Sequence, residues 1–309
     1  CRGTVPVAAG NHTSSAKFLL LGFLGQEQVQ AALFLAACVV TLLGNVGMLL
    51  LVCRDAQLHT PMYFFPSSLS FLDLCYSSTI TPRMLWDLLA ARRVISYPEC
   101  LAQFYFYAIF SSTECYLLAA MAYDCYMAIC SPLLYTITMP SRVCLLLVGG
   151  SYLAGIFNAT IHEALAWHLS FCGPNLVNHF YCKGSPLLAI SCTDPTLNQL
   201  VMFVMVGLNL LLTSLTILLS YTCILAATLR MRQGAQSASN LAIVTLFYGS
   251  FAFRYLGASS RHSQDLEKMA SEFYTLVTPT LNPVIYSLRN KEVKKVLGRA
   301  IERKCLAGK

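Results

Sequence analysis

Seven stretches of this chain are each apolar for about the length of a membrane-crossing helix, and nothing else limits its fold as strongly. They cover about 29–53, 61–85, 98–130, 143–165, 197–229, 238–257 and 270–288. A hydrocarbon core of about 30 Å takes roughly 20 helical residues to cross. Backbone N–H and C=O groups find no water there, so only helices and closed barrels span it. The runs are of helix length and lack the roughly ten-residue alternation of barrel strands. The chain is 56% hydrophobic and 11% charged over 309 residues, with a mean hydropathy of +0.60. That is too apolar for an ordinary soluble domain. The expected fold class is an all-α membrane protein, a seven-transmembrane helix bundle with a short amphipathic eighth helix. Its expected parts are an extracellular tail over 1–28, the bundle over 29–290, and a cytoplasmic amphipathic helix and tail over 291–309.

Charge sets the expected orientation. Eight basic residues lie between Arg289 and Lys309 against Glu292 and Glu302, and Arg54, Arg142, Arg230 and Arg232 fall on the same side of the bundle. Positive residues favour the cytoplasmic side, which puts the C-terminus inside and, with seven spans, the N-terminus outside. Arg92 and Arg93 weaken this bias without reversing it. The net charge of +7 is no sign of nucleic-acid binding, because the basic residues form no single patch. Lys291–Arg303 reads as a basic amphipathic helix on the lipid of the inner leaflet.

A few polar residues interrupt the apolar runs, and each is a candidate for function. Asn45 is an amide inside the first run, suited to an interhelical hydrogen bond of about 1 kcal/mol. Asp73 sits near the middle of the second run. Glu114 lies in the third, ten residues before Asp124 and so about 15 Å deeper. An intramembrane carboxylate costs roughly 2.5–3.5 kcal/mol on insertion scales if left unpaired. Two readings of the Asp73 and Glu114 pair stand side by side: they hold a cation, or both are protonated and bonded to Asn45 or Asn282. Pro66, inside the second run, is expected to kink or locally unwind its helix. Arg254 near the end of the sixth run either snorkels to the surface or meets an anionic ligand, the first being the simpler.

No enzyme motif emerges. His162-Glu-Ala-Leu-Ala is not HExxH, since position 166 is Ala, and no Gly-x-Ser-x-Gly is present. Of the fourteen cysteines, Cys100, Cys172, Cys182 and Cys192 fall in segments placed outside, where disulfides persist. Four cysteines allow three pairings. Asn11-His-Thr13 is a glycosylation sequon just before the first span, whereas the sequon at Asn158 falls within a run.

Several motifs then point to one family. Leu58-His-Thr-Pro-Met-Tyr-Phe-Phe65 opens the second run, and Met121-Ala-Tyr-Asp-Cys-Tyr-Met-Ala-Ile-Cys-Ser-Pro132 closes the third. Phe171-Cys-Gly-Pro-Asn175, His179-Phe-Tyr-Cys182 and Ser191-Cys192 lie in one long loop. Phe247-Tyr-Gly-Ser250 marks the sixth run, and Pro279-Thr-Leu-Asn-Pro-Val-Ile-Tyr-Ser-Leu-Arg-Asn290 ends the seventh. Together they resemble the tetrapod-type (class II) olfactory receptors, rhodopsin-like G-protein-coupled receptors, in order along nearly the whole chain.

The resemblance implies a non-enzymatic plasma-membrane receptor for a small volatile odorant, coupled to the olfactory stimulatory G protein and needing no cofactor. It implies the disulfides Cys100–Cys182 and Cys172–Cys192. It implies a ligand cavity faced by Tyr107, Ala108, Ser111, Ser112, Tyr248, Phe251 and Tyr255, with a His such as His162 nearby; a satisfied helix-end histidine is the other reading. It implies a sodium ion at Asp73 and Glu114. Activation residues by resemblance are Asp124, Cys125, Tyr126, Tyr221, Asn282, Pro283 and Tyr286. Two departures stand out. The family's Asp-Arg-Tyr is Asp124-Cys125-Tyr126 here, and the basic segment before the sixth span is shortened to Met231–Asn240. Weakened G-protein coupling is therefore expected. The alternatives are a non-signalling, pseudogene-like protein of receptor fold and, with less support, a small-solute transporter, which the lack of repeated hydropathy halves disfavours.

Overall fold

The computed structural model describes residues 17–20, 27–55, 58, 61–89, 94–171, 176–177, 181–230, 279–280 and 282. In chain order the elements are β1 (Lys17–Leu20), α1 (Glu27–Arg54), α2 (Pro61–Leu89), β2 (Val94–Ser96) and α3 (Tyr97–Cys130). There follow α4 (Pro132–Thr138), α5 (Ser141–Ala166), β3 (Leu176–Val177), α6 (Gly184–Ala189) and α7 (Thr196–Arg230). The five long helices are the first five apolar runs, with ends close to those expected. The largest difference is at α2, which runs on to Leu89. The sixth run, and all of the seventh except Pro279, Thr280 and Asn282, lie outside the described residues.

Over Phe34–Arg54, Ser141–Ala166 and Thr196–Ala227 the helices are long and apolar enough to cross a membrane by themselves. Leu43, Leu146 and Phe203 on these helices are 68%, 74% and 78% exposed. Such side chains are costly in water and at no disadvantage against lipid. α2 and α3 are as long but more polar, because they carry Asp73, Glu114 and Asp124, all buried. α3 is the centre of the bundle, packing on α5, α7 and α2, while α1 packs on α2. α2 stays helical through Pro66 and Pro82, so of the kink or local unwinding expected at Pro66, the unwinding does not occur.

One feature of the backbone was not foreseen. β1 pairs antiparallel with β2, Phe18 opposite Ile95, and parallel with β3, Leu19 opposite Leu176. This three-stranded sheet caps one end of an otherwise helical chain. Phe18 is wholly buried in a cluster with Ile95, Tyr97, Leu101, Leu169 and Val177. Its ring meets Phe171 edge-on at 5.1 Å. The same cluster contains the disulfide Cys100–Cys182, which ties the start of α3 to the chain 82 residues later. At this end Asp194 accepts hydrogen bonds from the Thr196 N–H and hydroxyl, which starts α7 and holds its carboxyl below the usual range.

α3 and α5 approach closely because Gly155 stands at their crossing. A Cβ there would lie 2.8 Å from the Ile109 carbonyl oxygen and would also strike Thr113 Oγ1. Thr113 is itself bonded back to Ile109 at 2.8 Å, so it cannot swing away freely. Small residues at helix crossings let backbones approach in this way. Gly155→Val is therefore expected to push the helices apart at a cost of about 1–3 kcal/mol. Thermal unfolding of the purified chain in detergent checks this, and an unchanged Tm would contradict the tight crossing.

Candidate functional site

Two polar assemblies run through the bundle, each built from residues that an apolar helix cannot carry without partners. The deeper one joins α1, α2 and the described part of the seventh run. Asn45 Nδ2 donates to the Pro279 carbonyl at 3.0 Å and to the Thr41 carbonyl at 3.0 Å. The Thr41 and Thr280 hydroxyls meet at 2.8 Å. Asn282 Nδ2 donates to Asp73 Oδ2 at 3.0 Å. Of the two amides proposed for the carboxylates, Asn282 is thus the one on Asp73, while Asn45 serves backbone.

Asp73 and Glu114 are 1% and 3% exposed, on helices α2 and α3 that pack against each other. Carboxylate oxygens in this number suit a small hard cation better than a soft one.

The second assembly lies at the α4 end. Asp124 is buried and accepts a hydrogen bond from the Tyr135 hydroxyl at 2.9 Å. Tyr135 belongs to α4, the short helix that packs back on α3. Cys125 and Tyr126 are partly buried, and Tyr126 packs against the cluster containing Phe65, Leu69, Leu117 and Met139. Tyr221 is partly buried on α7, beside buried Ser220.

The four α3 residues expected to face a ligand do not share one surroundings. The Tyr107 ring lies between Tyr76 of α2, at 5.7 Å, and Tyr181, at 5.1 Å. Ser111, one turn further, is partly buried. Ala108 packs on Ile109 and Ala159, and the Ser112 hydroxyl accepts a bond from Asn158 Nδ2 at 2.7 Å, so this pair faces α5. Tyr248, Phe251 and Tyr255 lie outside the described residues, as do Asn11, Cys172, Pro283 and Tyr286. Cys192 is in a disulfide, and the Cys172 expected to pair with it is among those outside.

Several polar residues that hold the site together escaped the sequence reading. Gln103 reaches the Thr79 carbonyl with its Nε2, at 3.4 Å, and receives the Cys182 N–H at 3.0 Å on its Oε1. It thereby joins α2, α3 and the loop. The Tyr116 hydroxyl donates to Asn209 Oδ1, linking α3 to α7. Asn158 lies buried in α5, which removes it as a glycosylation site. An amide inside an apolar run was the available signal for Asn158 and Asn209.

The chain matches the olfactory receptor family model over residues 34–304. It is 46% identical over 304 residues to olfactory receptor 8G3 of Homo sapiens, covering 95% of this chain and 98% of that one. It is 47% identical to olfactory receptor 5B21 of Mus musculus, over 95% of each chain. To olfactory receptor 5AP2 of Mus musculus it is 48% identical over 94% of this chain and 95% of that one. With likeness of this degree from end to end, the chain belongs to the olfactory receptor family of seven-transmembrane G-protein-coupled receptors, non-enzymatic multi-pass proteins of the plasma membrane.

Proposed function

We propose that this chain binds a small volatile, mostly apolar odorant and signals through a stimulatory G protein, with that coupling weakened at Asp124-Cys125-Tyr126 and by the short Met231–Asn240 segment. The observation carrying this reading is the Asp124–Tyr135 bond beside an uncharged Cys125. Receptor output needs a bundle with two states whose balance the ligand shifts. A cation next to Asp124 would pair with it in one state and be free for a partner protein in the other. Cys125 can do neither. Asp124 instead has a neutral donor, Tyr135, which holds α4 against α3 but brings no charge to an effector.

The N-terminus faces outward and the C-terminus inward, with 1–28 as the outer tail, 29–290 as the bundle and 291–309 as the inner amphipathic helix. The disulfide Cys100–Cys182 at the sheet end supports this, since disulfides persist on the oxidising side, whereas Cys53 and Cys223 near the other end are free and exposed. Asn11 would then be open to glycosylation. Tyr107 and Ser111, with Tyr248, Phe251 and Tyr255, line the odorant cavity, whereas Ala108 and Ser112 are turned to α5. Tyr126, Tyr221, Asn282, Pro283 and Tyr286 carry the rearrangement.

Asp73 and Glu114 hold a sodium ion. Two buried carboxylates on adjacent helices, one of them met by Asn282, are suited to a cation that offsets their charge. At matched ionic strength, sodium chloride is expected to raise the Tm of the purified chain over choline chloride by roughly 2–4 °C, the shift for about 1 kcal/mol. Asp73→Asn should abolish the difference; equal Tm values for the parent in both salts would refute the ion.

Coupling is tested by odorant-evoked cAMP in cells with the olfactory G protein, with surface expression stained in parallel. Cys125→Arg is expected to raise the response about fivefold or more at equal surface level. An equal response from the parent would remove Cys125 as a defect. Silence from both at full surface expression would favour the non-signalling reading.

A further inference from the structure

Four residues of α3, Cys100, Gln103, Tyr107 and Ser111, are spaced three or four apart and so share one face of the helix. The loop meets the sheet end of this face with two consecutive residues. Cys182 is joined to Cys100 by the disulfide and donates its N–H to Gln103 Oε1 at 3.0 Å. One turn deeper, the wholly buried Tyr181 ring lies on Tyr107 at 5.1 Å. The next residue along the face is Ser111, which the reading above places in the odorant cavity.

Each contact limits the loop in its own way. The disulfide fixes how far Cys182 lies from α3, with the two Cα atoms 5.3 Å apart, but the single bonds on either side of it can turn. The bond to Gln103 removes that freedom, because it orients the planar peptide that joins Tyr181 to Cys182. Gln103 is 7% exposed, and its own amide is held in turn, Nε2 donating to the Thr79 carbonyl of α2 at 3.4 Å. A side chain in this place must accept from an N–H and donate to a carbonyl at once. Glutamine does both. Glutamate does only the first, and methionine, of similar length, does neither.

We propose that Gln103 is the positioning residue that closes the sheet-end approach to the odorant cavity, holding the Cys182 peptide so that Tyr181 stays seated on Tyr107, above Ser111. It touches no odorant and acts through Tyr181. Without its bond the Cys182 N–H is left buried and unpaired. Turning that peptide towards water relieves the loss and lifts the Tyr181 ring. The proposal rests on the receptor reading for the place of the cavity at Ser111, and its test needs neither odorant nor G protein.

The purified full chain in detergent carries Ser111→Cys as a reporter, and the probe is trimethylammonioethyl methanethiosulfonate, a permanently charged thiol reagent. Being charged, it reaches position 111 only through water, and peptide mass spectrometry reads the rate of modification there. Gln103→Met is expected to raise this rate about tenfold, the usual worth of a hydrogen bond to a buried group. Gln103→Glu, which still accepts from the Cys182 N–H, should stay near the rate with Gln103 intact. Tyr181→Ala should open the approach as Gln103→Met does, and the two together should go no further than Tyr181→Ala alone. Cys144, wholly buried at the other end of the bundle, measures general loosening and should react no faster in any variant. Gln103→Asn, too short to reach Cys182, serves if the Tm shows that Gln103→Met fails to fold. Four results would overturn the proposal: position 111 reacting as fast as exposed Cys53 with Gln103 intact, no acceleration by Gln103→Met, acceleration of Cys144 in step with position 111, or additive effects of Gln103→Met and Tyr181→Ala. Opening at position 111 with unchanged odorant potency in the cell assay would count against the cavity at Ser111 and leave the role of Gln103 standing.

Discussion

A polar atom inside a hydrocarbon layer has no water to fall back on, and the architecture of this chain follows from meeting that demand. Backbone groups meet it by forming helices. The side chains that break the apolar runs meet it by bonding between helices, and those bonds set which helix lies against which. Asn45 joins α1 to the seventh run through the Pro279 carbonyl. Asn282 joins that run to α2 at Asp73. Gln103, Asn158 and Tyr116 extend the seam from α3 to α2, α5 and α7. Apolar packing alone would not specify such a register, because lipid tails are as good a neighbour for Leu as another Leu.

α3 is central for the same reason. It carries two buried carboxylates and the polar face that cannot meet lipid, so its neighbours surround it. Its sheet end is fastened by Cys100–Cys182 and by Tyr97, whose hydroxyl reaches the Ala166 carbonyl at 2.9 Å. Its other end is fastened by Asp124 and Tyr135. A helix held at both ends transmits a displacement made between them, which is the mechanical requirement of a receptor whose ligand and effector bind on opposite sides.

The five described long helices were legible to within a few residues because membrane crossing demands a run of fixed length, and those runs are nearly uninterrupted. The family was legible because its motifs stand in order from Leu58 to Asn290. The candidate site was legible in part. Asp73, Glu114 and Asp124 declared themselves as carboxylates in apolar surroundings. Tyr135 and Gln103 did not, since a tyrosine or a glutamine near a helix end is unremarkable until its partner is known. The unwinding expected at Pro66 failed because proline removes one donor from a helix without obliging the chain to leave it.

By itself the amino-acid sequence determined the number and order of the spans, the family, and the residues too polar to be there without a reason. Each of these depends on local composition, or on words of a few residues. Only the tertiary structure decided the partners: Asn282 rather than Asn45 on Asp73, Tyr135 on Asp124, Ser112 turned to Asn158, and Phe18 sealed under a sheet. Those choices join residues up to 209 positions apart in the chain. Hydrogen bonds of that span depend on how helices are rotated against each other, and no local pattern along the chain contains that rotation.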